Sequence, residues 1–321
     1  MNKLNTIFII SLLITTNYCS GSETVKSLVP EAEKIVLNSL KSPNAGIRAN
    51  AVEVISEGKK TELMENVVVL LDDPAISVRF SAVVAMGDMQ YGPSEAKLKQ
   101  LLKDPDLNVA VAAAYALYKI GGDIKYLNPI EDSAGSVDQT VKANVAMLLG
   151  KLKSKHSLPI LHKLKDNLDS SDAVALNATE AIARIEPDDK IYKKIWTMLI
   201  SVYADKRYMG IHAMGAFGGV KGANAIITLL DDESPEVRLA AAEQLGMLGD
   251  NSGQIVVQEY LNNPEQVEKP IMNRRNVLAA LAIGQIGSEP LIAHLPKLLK
   301  NESPSVQLAA AESIFILAIG H

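Results

Sequence analysis

The residues with most to offer a metal or catalytic site are the five histidines, His156, His162, His212, His294 and His321, and the single cysteine, Cys19. A metal centre needs several such ligands brought to one face, commonly from positions three or four apart on a helix. Here His156 and His162 are six apart across an expected helix start and the others are scattered, so they read as surface histidines. No metal and no cofactor is expected. Phosphate-loop and dinucleotide glycine fingerprints are absent, and Gly284-x-x-Gly287 reads as a helix end. There is no Gly-x-Ser-x-Gly elbow, and beyond residue 19 there is no thiol to act as a nucleophile. The carboxylate pairs Asp72-Asp73 and Asp231-Asp232 recur at one phase of a longer pattern, which assigns them to turns and not to acid–base work. The expectation is a protein with no catalytic residues.

That longer pattern is the dominant signal. Val78-Arg79-Phe80-Ser81-Ala82-Val83-Val84-Ala85-Met86-Gly87 and Val237-Arg238-Leu239-Ala240-Ala241-Ala242-Glu243-Gln244-Leu245-Gly246 are two copies of one segment. Weaker copies start at Ile47, Val109, Val141, Val174, Lys206, Arg275 and Val306, with steps of 31 to 33 residues except for one of 38. Positions one, five, eight and nine are apolar or small, a single stripe on a helix. A shorter amphipathic segment precedes each copy, such as 67–71 or 225–230. Asp/Pro turns join the two, as in Asp72-Asp73-Pro74, Asp104-Pro105 and Asp231 to Pro235. Proline cannot continue the first helix and suits the opening turn of the second, where Asp can cap it or pair with its Arg. Gly87, Gly121, Gly150, Gly249 and Gly287 are expected to form left-handed caps at the second helix ends. Nine helix pairs follow, and since one pair cannot bury its apolar face alone, they must stack into a continuous core. The 38-residue step reads as a longer inter-helix loop around Asn262 to Pro270. A composition of 48% hydrophobic but only 4% aromatic residues suits close-packed short helices and not a β-sandwich.

The pattern resembles HEAT repeats of the short bacterial type found in phycobilin-lyase subunits, over about residues 30 to 321. The resemblance implies an all-α fold, a right-handed α-α superhelix of the armadillo-like solenoid kind with about nine helix pairs, whose second helices line the concave side. Arg at position two is present as Arg48, Arg79, Arg207 and Arg238, becomes Lys142, and is lost at Ala110, Ala175, Asn276 and Gln307, so an unbroken Asp–Arg ladder is not expected. The resemblance also raises a lyase-like, chromophore-handling enzyme as an alternative. Against it stand the export signal described below and the missing chromophore-handling cysteine. Helical-repeat enzymes that bind iron use His-Glu pairs, and no His-Glu dipeptide occurs here. A nucleic-acid-binding array is a further alternative. It is disfavoured by 37 acidic against 32 basic residues and by the absence of a basic stripe.

The first residues read as an export signal, with Lys3 ahead of an apolar run from Ile7 to Ile14 and a polar exit at Thr15 to Tyr18. Cys19 stands where a lipoprotein signal carries its lipidated cysteine, although bulky Tyr18 departs from the usual small residue. The alternative is cleavage after Gly21. The expected organisation is a signal over 1–19, a tether over 20–28 and the repeat array over 29–321. The expected location is the periplasm, or the cell-envelope membrane through a lipid anchor.

Position seven of the repeat is not needed by the core and forms a stripe along the inner layer: Glu53, Val84, Tyr115, Met147, Glu180, His212, Glu243, Leu281 and Glu312. Together with Tyr118 and Tyr208 on neighbouring turns, Tyr115, Met147, Glu180 and His212 are the candidate contacts for a protein partner, presented as an extended segment or a helix. The alternative is that Met147 and Val84 belong to the inter-repeat core. The last helix ends at Gly320-His321 without a polar capping unit. Either Phe315 and its neighbours pack on the preceding repeat, or this C-terminal edge self-associates.

Overall fold

The computed structural model describes residues 23–320. The export signal, Cys19 and His321 lie outside the described residues. Among these residues there are helices and no strands, arranged as nine consecutive pairs. The pairs are α1 (Glu23–Ser39) with α2 (Ala45–Glu57), α3 (Met64–Val68) with α4 (Ile76–Asp88), and α5 (Glu95–Leu101) with α6 (Leu107–Gly121). Next come α7 (Leu127–Asp132) with α8 (Gln139–Leu152), α9 (Leu158–Asp166) with α10 (Asp172–Ile185), and α11 (Asp189–Leu199) with α12 (Ala204–Phe217). The last three are α13 (Gly219–Ile227) with α14 (Pro235–Met247), α15 (Gln254–Asn262) with α16 (Lys269–Ile286), and a split first helix, α17 (Glu289–Ile292) and α18 (Leu295–Leu299), with α19 (Pro304–Ile319). The long step in the repeat is the loop between α15 and α16, as its Pro and Asn content implies.

Each second helix packs against the second helices before and after it, so that α2, α4, α6, α8, α10, α12, α14, α16 and α19 form an inner layer. The layer does not stop at α19, which packs on α16 on one side and on α1 and α2 on the other. The array is therefore a closed ring, each unit turning by about a ninth of a revolution. The small residues of the repeat explain this curvature. A Cβ on Gly87 would lie 2.8 Å from the Ala116 Cα, one on Gly150 2.8 Å from the Ala181 Cβ, and one on Gly246 2.9 Å from the Gln285 carbonyl carbon. Inner helices approach this closely only where position ten carries no side chain.

Four sequence expectations are corrected here. Gly87 and Gly150 serve close helix approach and not capping. Left-handed backbone is found at Gly249 and Gly287, and at Gly122 in place of Gly121. The turn Asp does not pair with the Arg of its own unit but with that of the preceding one: Asp73 binds Arg48, Asp104 binds Arg79 and Asp232 binds Arg207. Its own Arg is occupied by the turn's carbonyls, as when Arg79 donates to the Asp73 carbonyl at 2.9 Å. The segment 20–28 is not all tether, because α1 starts at Glu23 and carries Pro30 within it. Fully buried Val25 anchors this early turn, and its burial offsets the hydrogen bond that Pro30 cannot make. Finally, the C-terminal edge is not available for self-association. Phe315 is fully buried, a Cβ on Gly58 would lie 2.6 Å from its own Cβ, and Lys60 Nζ sits 5.0 Å from its ring centroid. The last helix needs no polar cap because the first unit covers it.

Candidate functional site

Closure converts the expected concave groove into a lumen. A cavity of about 730 Å³ occupies it, lined by second helices and by Lys153 and Leu248 just past the ends of two of them. Position seven supplies Met147, Glu180, His212, Glu243 and Glu312, and one helical turn on stand Glu57, Lys151, Arg184 and Met247. Residues four apart lie on one face of a helix, so each inner helix presents two successive side chains to the lumen.

The two sides of the lumen differ in charge. Around α4, α8 and α10 most charges are paired: Lys151 Nζ lies 2.7 Å from Asp88, Arg184 Nη2 lies 2.6 Å from Glu180, and the Tyr115 hydroxyl donates to Asp88, while Lys153, just past α8, lines the cavity outside any ion pair among the described residues. Around α14, α19 and α2 stand Glu243, Glu312, Glu53 and Glu57. Among the described residues none of these four carboxylates takes part in an ion pair. Glu53 accepts only a 3.2 Å hydrogen bond from Ser81.

Burial in the lumen pushes the Glu312 carboxyl up to about 8, helped by the charges of Glu57, Glu243 and Glu53. Desolvation alone raises Glu243 to about 7, and burial likewise raises Glu180 and Glu53. Desolvation lowers His212, which favours its neutral form. Two buried polar atoms on adjacent inner helices, His212 Nε2 and Glu243 Oε2, have no hydrogen-bond partner.

The residues singled out from sequence divide into three groups. Met147, Glu180 and His212 line the cavity, so His212 is not a surface histidine like His156, which is exposed. Tyr208 is half-buried beside them, edge-on to His212 with ring centroids 4.7 Å apart and with Arg274 5.7 Å from its own ring. Tyr118 is half-buried against the core. Tyr115 is fully buried with its hydroxyl on Asp88, which removes it as a partner contact. The tight Gly87 approach beneath its ring explains that burial. Val84 is likewise packed against the core, whereas Met147 both touches the core and faces the cavity. Glu57, Lys151 and Arg184 were missed, although the i+4 offset from position seven points to them.

Among the described residues no group of three or more His, Cys, Asp or Glu is arranged to hold a metal ion. No helix among them is long and apolar enough to cross a membrane.

Residues 199–269 match the sequence model of HEAT repeats. No curated protein matches the sequence. Similar solved structures include the complex of CpcE and CpcF of phycocyanin lyase from Nostoc sp. PCC7120, with 16% identity, TM-score 0.47 and coverage of 78% of this chain and 92% of that one. Human deoxyhypusine hydroxylase has 17% identity, TM-score 0.40 and coverage of 81% and 96%. Importin beta has 15% identity, TM-score 0.36 and coverage of 89% and 46%. These likenesses concern the stacking of helix pairs alone. The family match covers residues 199–269, and the in-phase helix pairs on either side of it repeat the same two-helix unit, so the described residues form a HEAT-type array.

Proposed function

We propose that this protein is a non-catalytic binding scaffold of the bacterial cell envelope whose lumen holds a positively charged segment protruding from a protein partner. The observation that carries the reading is the unmatched half of the lumen, where the carboxyl groups of Glu57, Glu243 and Glu312 line the cavity outside any ion pair among the described residues and two buried polar atoms, His212 Nε2 and Glu243 Oε2, have no protein partner. A ligand that brings donors and positive charge supplies partners to these atoms, and a hydrogen bond to a charged group is worth about 1.5–3 kcal/mol. The matched half, held by Lys151 to Asp88 and Arg184 to Glu180, gives the ligand no comparable gain. Closure dictates how it enters. A folded domain or the middle of a long helix cannot slide in from the side, whereas a chain end or a protruding loop can. Met147, Glu180 and His212 would touch that segment directly.

The proposed location rests on the signal-like residues 1–19, with Cys19 as lipid attachment or cleavage after Gly21 as the alternative. Mass measurement of the purified native protein tests this part: a mature chain starting at a lipid-bearing Cys19 or just after Gly21 supports export, and an intact Met1 start refutes it. The binding role is tested by capture from native envelopes with the wild-type protein and with Glu57→Gln/Glu243→Gln/Glu312→Gln. A partner recovered with wild type and reduced at least tenfold with the folded triple variant supports the reading. Undiminished recovery overturns the lumen as the site.

A further inference from the structure

The four position-two arginines do not all end in the same way. Arg48, Arg79 and Arg207 place Nε and Nη2 against both carboxylate oxygens of the Asp 25 residues downstream, at 2.6 to 3.0 Å. Their Nη1 donates to the carbonyl six residues upstream at 2.7 to 2.9 Å. Arg238 keeps only the second half of this arrangement, with Nη1 on the Asp232 carbonyl at 2.7 Å. Twenty-five residues downstream of it stands Asn263, where the extra chain between α15 and α16 begins. No described residue accepts from its Nε or Nη2. Of the two acids that the extra chain brings, Glu265 is committed to Arg275 at 2.6 Å and Glu268 is not part of the cleft lining. Where the missing rung would lie, the chain leaves a cleft of about 830 Å³ with Arg238 in its lining and Leu230, Ile255, Val256 and Tyr260 as apolar walls.

We infer that this cleft is a carboxylate-binding site in which an Asp side chain from a partner polypeptide completes the interrupted rung on Arg238. The three intact rungs are the template. Each shows the same guanidinium fork, with the same upstream carbonyl holding Nη1, closed bidentately by an Asp side chain, to which Glu233 adds a 3.1 Å contact on the Arg207 Nη2 alone. A planar fork of this kind selects a carboxylate bidentately. Asp231, Glu259 and Glu265 also line the cleft, which disfavours polyanions such as phosphate and favours an Asp that has Lys beside it. Lys103-Asp104 in the Arg79 rung is such a pair. The site lies between the α13–α14 pair and α15 with the loop after it, shares no lining residue with the lumen, and does not depend on the lumen reading.

The intact rung supplies the probe. A fluorescein-labelled, C-terminally amidated peptide with the sequence of residues 99–107 is titrated with the purified mature protein and followed by anisotropy. The comparison peptide differs only by Asp104→Asn. Two protein variants isolate the fork. Arg238→Gln keeps the structural bond, since Gln307 at the same repeat position donates to the Asn301 carbonyl at 2.8 Å. Asn263→Asp supplies the missing carboxylate from within. The expected result is binding of the Asp peptide by wild type, weakened at least tenfold by Asp104→Asn in the peptide, by Arg238→Gln and by Asn263→Asp. Equal binding of the two peptides, retention by either variant, absence of binding to wild type, or displacement of the peptide by millimolar inorganic phosphate would each overturn the assignment.

Discussion

Replacing Glu312 by Gln should stabilise the protein increasingly as the pH rises above about 4.5, with the full gain reached past about 8. Burial, then the charges of Glu57, Glu243 and Glu53, hold the Glu312 carboxyl at about 8, against an ordinary value of 4.5. Between these values the folded protein keeps a proton that the unfolded chain has released. Folding is therefore progressively disfavoured as pH rises. The contribution is fully present below about pH 4.5 and has been lost once the pH passes about 8. Each pH unit across the window corresponds to about 1.4 kcal/mol, which sets a ceiling near 5 kcal/mol. The ceiling is not reached, because Glu243 titrates in the same range and lumen water screens both groups; about 2–3 kcal/mol is the expected gain at pH 9. Gln has nearly the shape of the protonated acid, so the two proteins should unfold alike below about pH 4.5. Urea midpoints followed by far-UV circular dichroism from pH 4 to 9, each multiplied by the slope of its transition, give the difference. Parallel pH profiles, or a variant less stable throughout, would refute the claim that this carboxylate is held in a lumen among other acids.

Three further substitutions probe the ring itself. Phe315→Ala empties the fully buried contact with Gly58 at the seam and should cost about 3–5 kcal/mol, with a larger radius of gyration by X-ray scattering; a cost below about 1 kcal/mol would mean an open array. Gly87→Ala sets a Cβ 2.8 Å from Ala116 and should destabilise by about 1–3 kcal/mol, whereas Gly121→Ala, which meets nothing within 4 Å, should be neutral or mildly stabilising; thermal melts showing the reverse order would contradict the packing. A double-mutant cycle on Arg79→Ala and Asp104→Ala should give a coupling of about 1–3 kcal/mol from the bidentate rung, and a coupling near zero would make the rung ornamental.

The helix pairs were legible because the repeat writes the same local demands nine times, so that degenerate copies such as Lys206 to Gly215 could be placed by phase. The inner stripe was legible too, since position seven is a consequence of helical period. Closure was not. It depends on a small rotation per unit summed around the array, and no single residue encodes it. The trace it leaves in the sequence is Phe315 at position ten, where Gly87, Gly150, Gly215, Gly246 and Gly284 stand in other units, but Tyr118 also occupies that position without marking a seam. The phenylalanine has meaning only once Gly58 is known to lie opposite. The exposure of Tyr115 was misread for a related reason: its ring occupies the space that Gly87 leaves on the neighbouring helix. The mistaken partner of Asp73 and Asp104 followed from looking within a unit for a bond that the stacking makes between units.

The central claim is that a partner segment enters the closed ring. A photo-crosslinking residue placed at Met147, which faces the cavity, and at Val220, which is 78% exposed, tests it directly in native cells. The account predicts a covalent partner adduct from position 147, lost in the Glu57→Gln/Glu243→Gln/Glu312→Gln background, and none from position 220. Adducts from position 220 alone would place the partner outside the ring and contradict it.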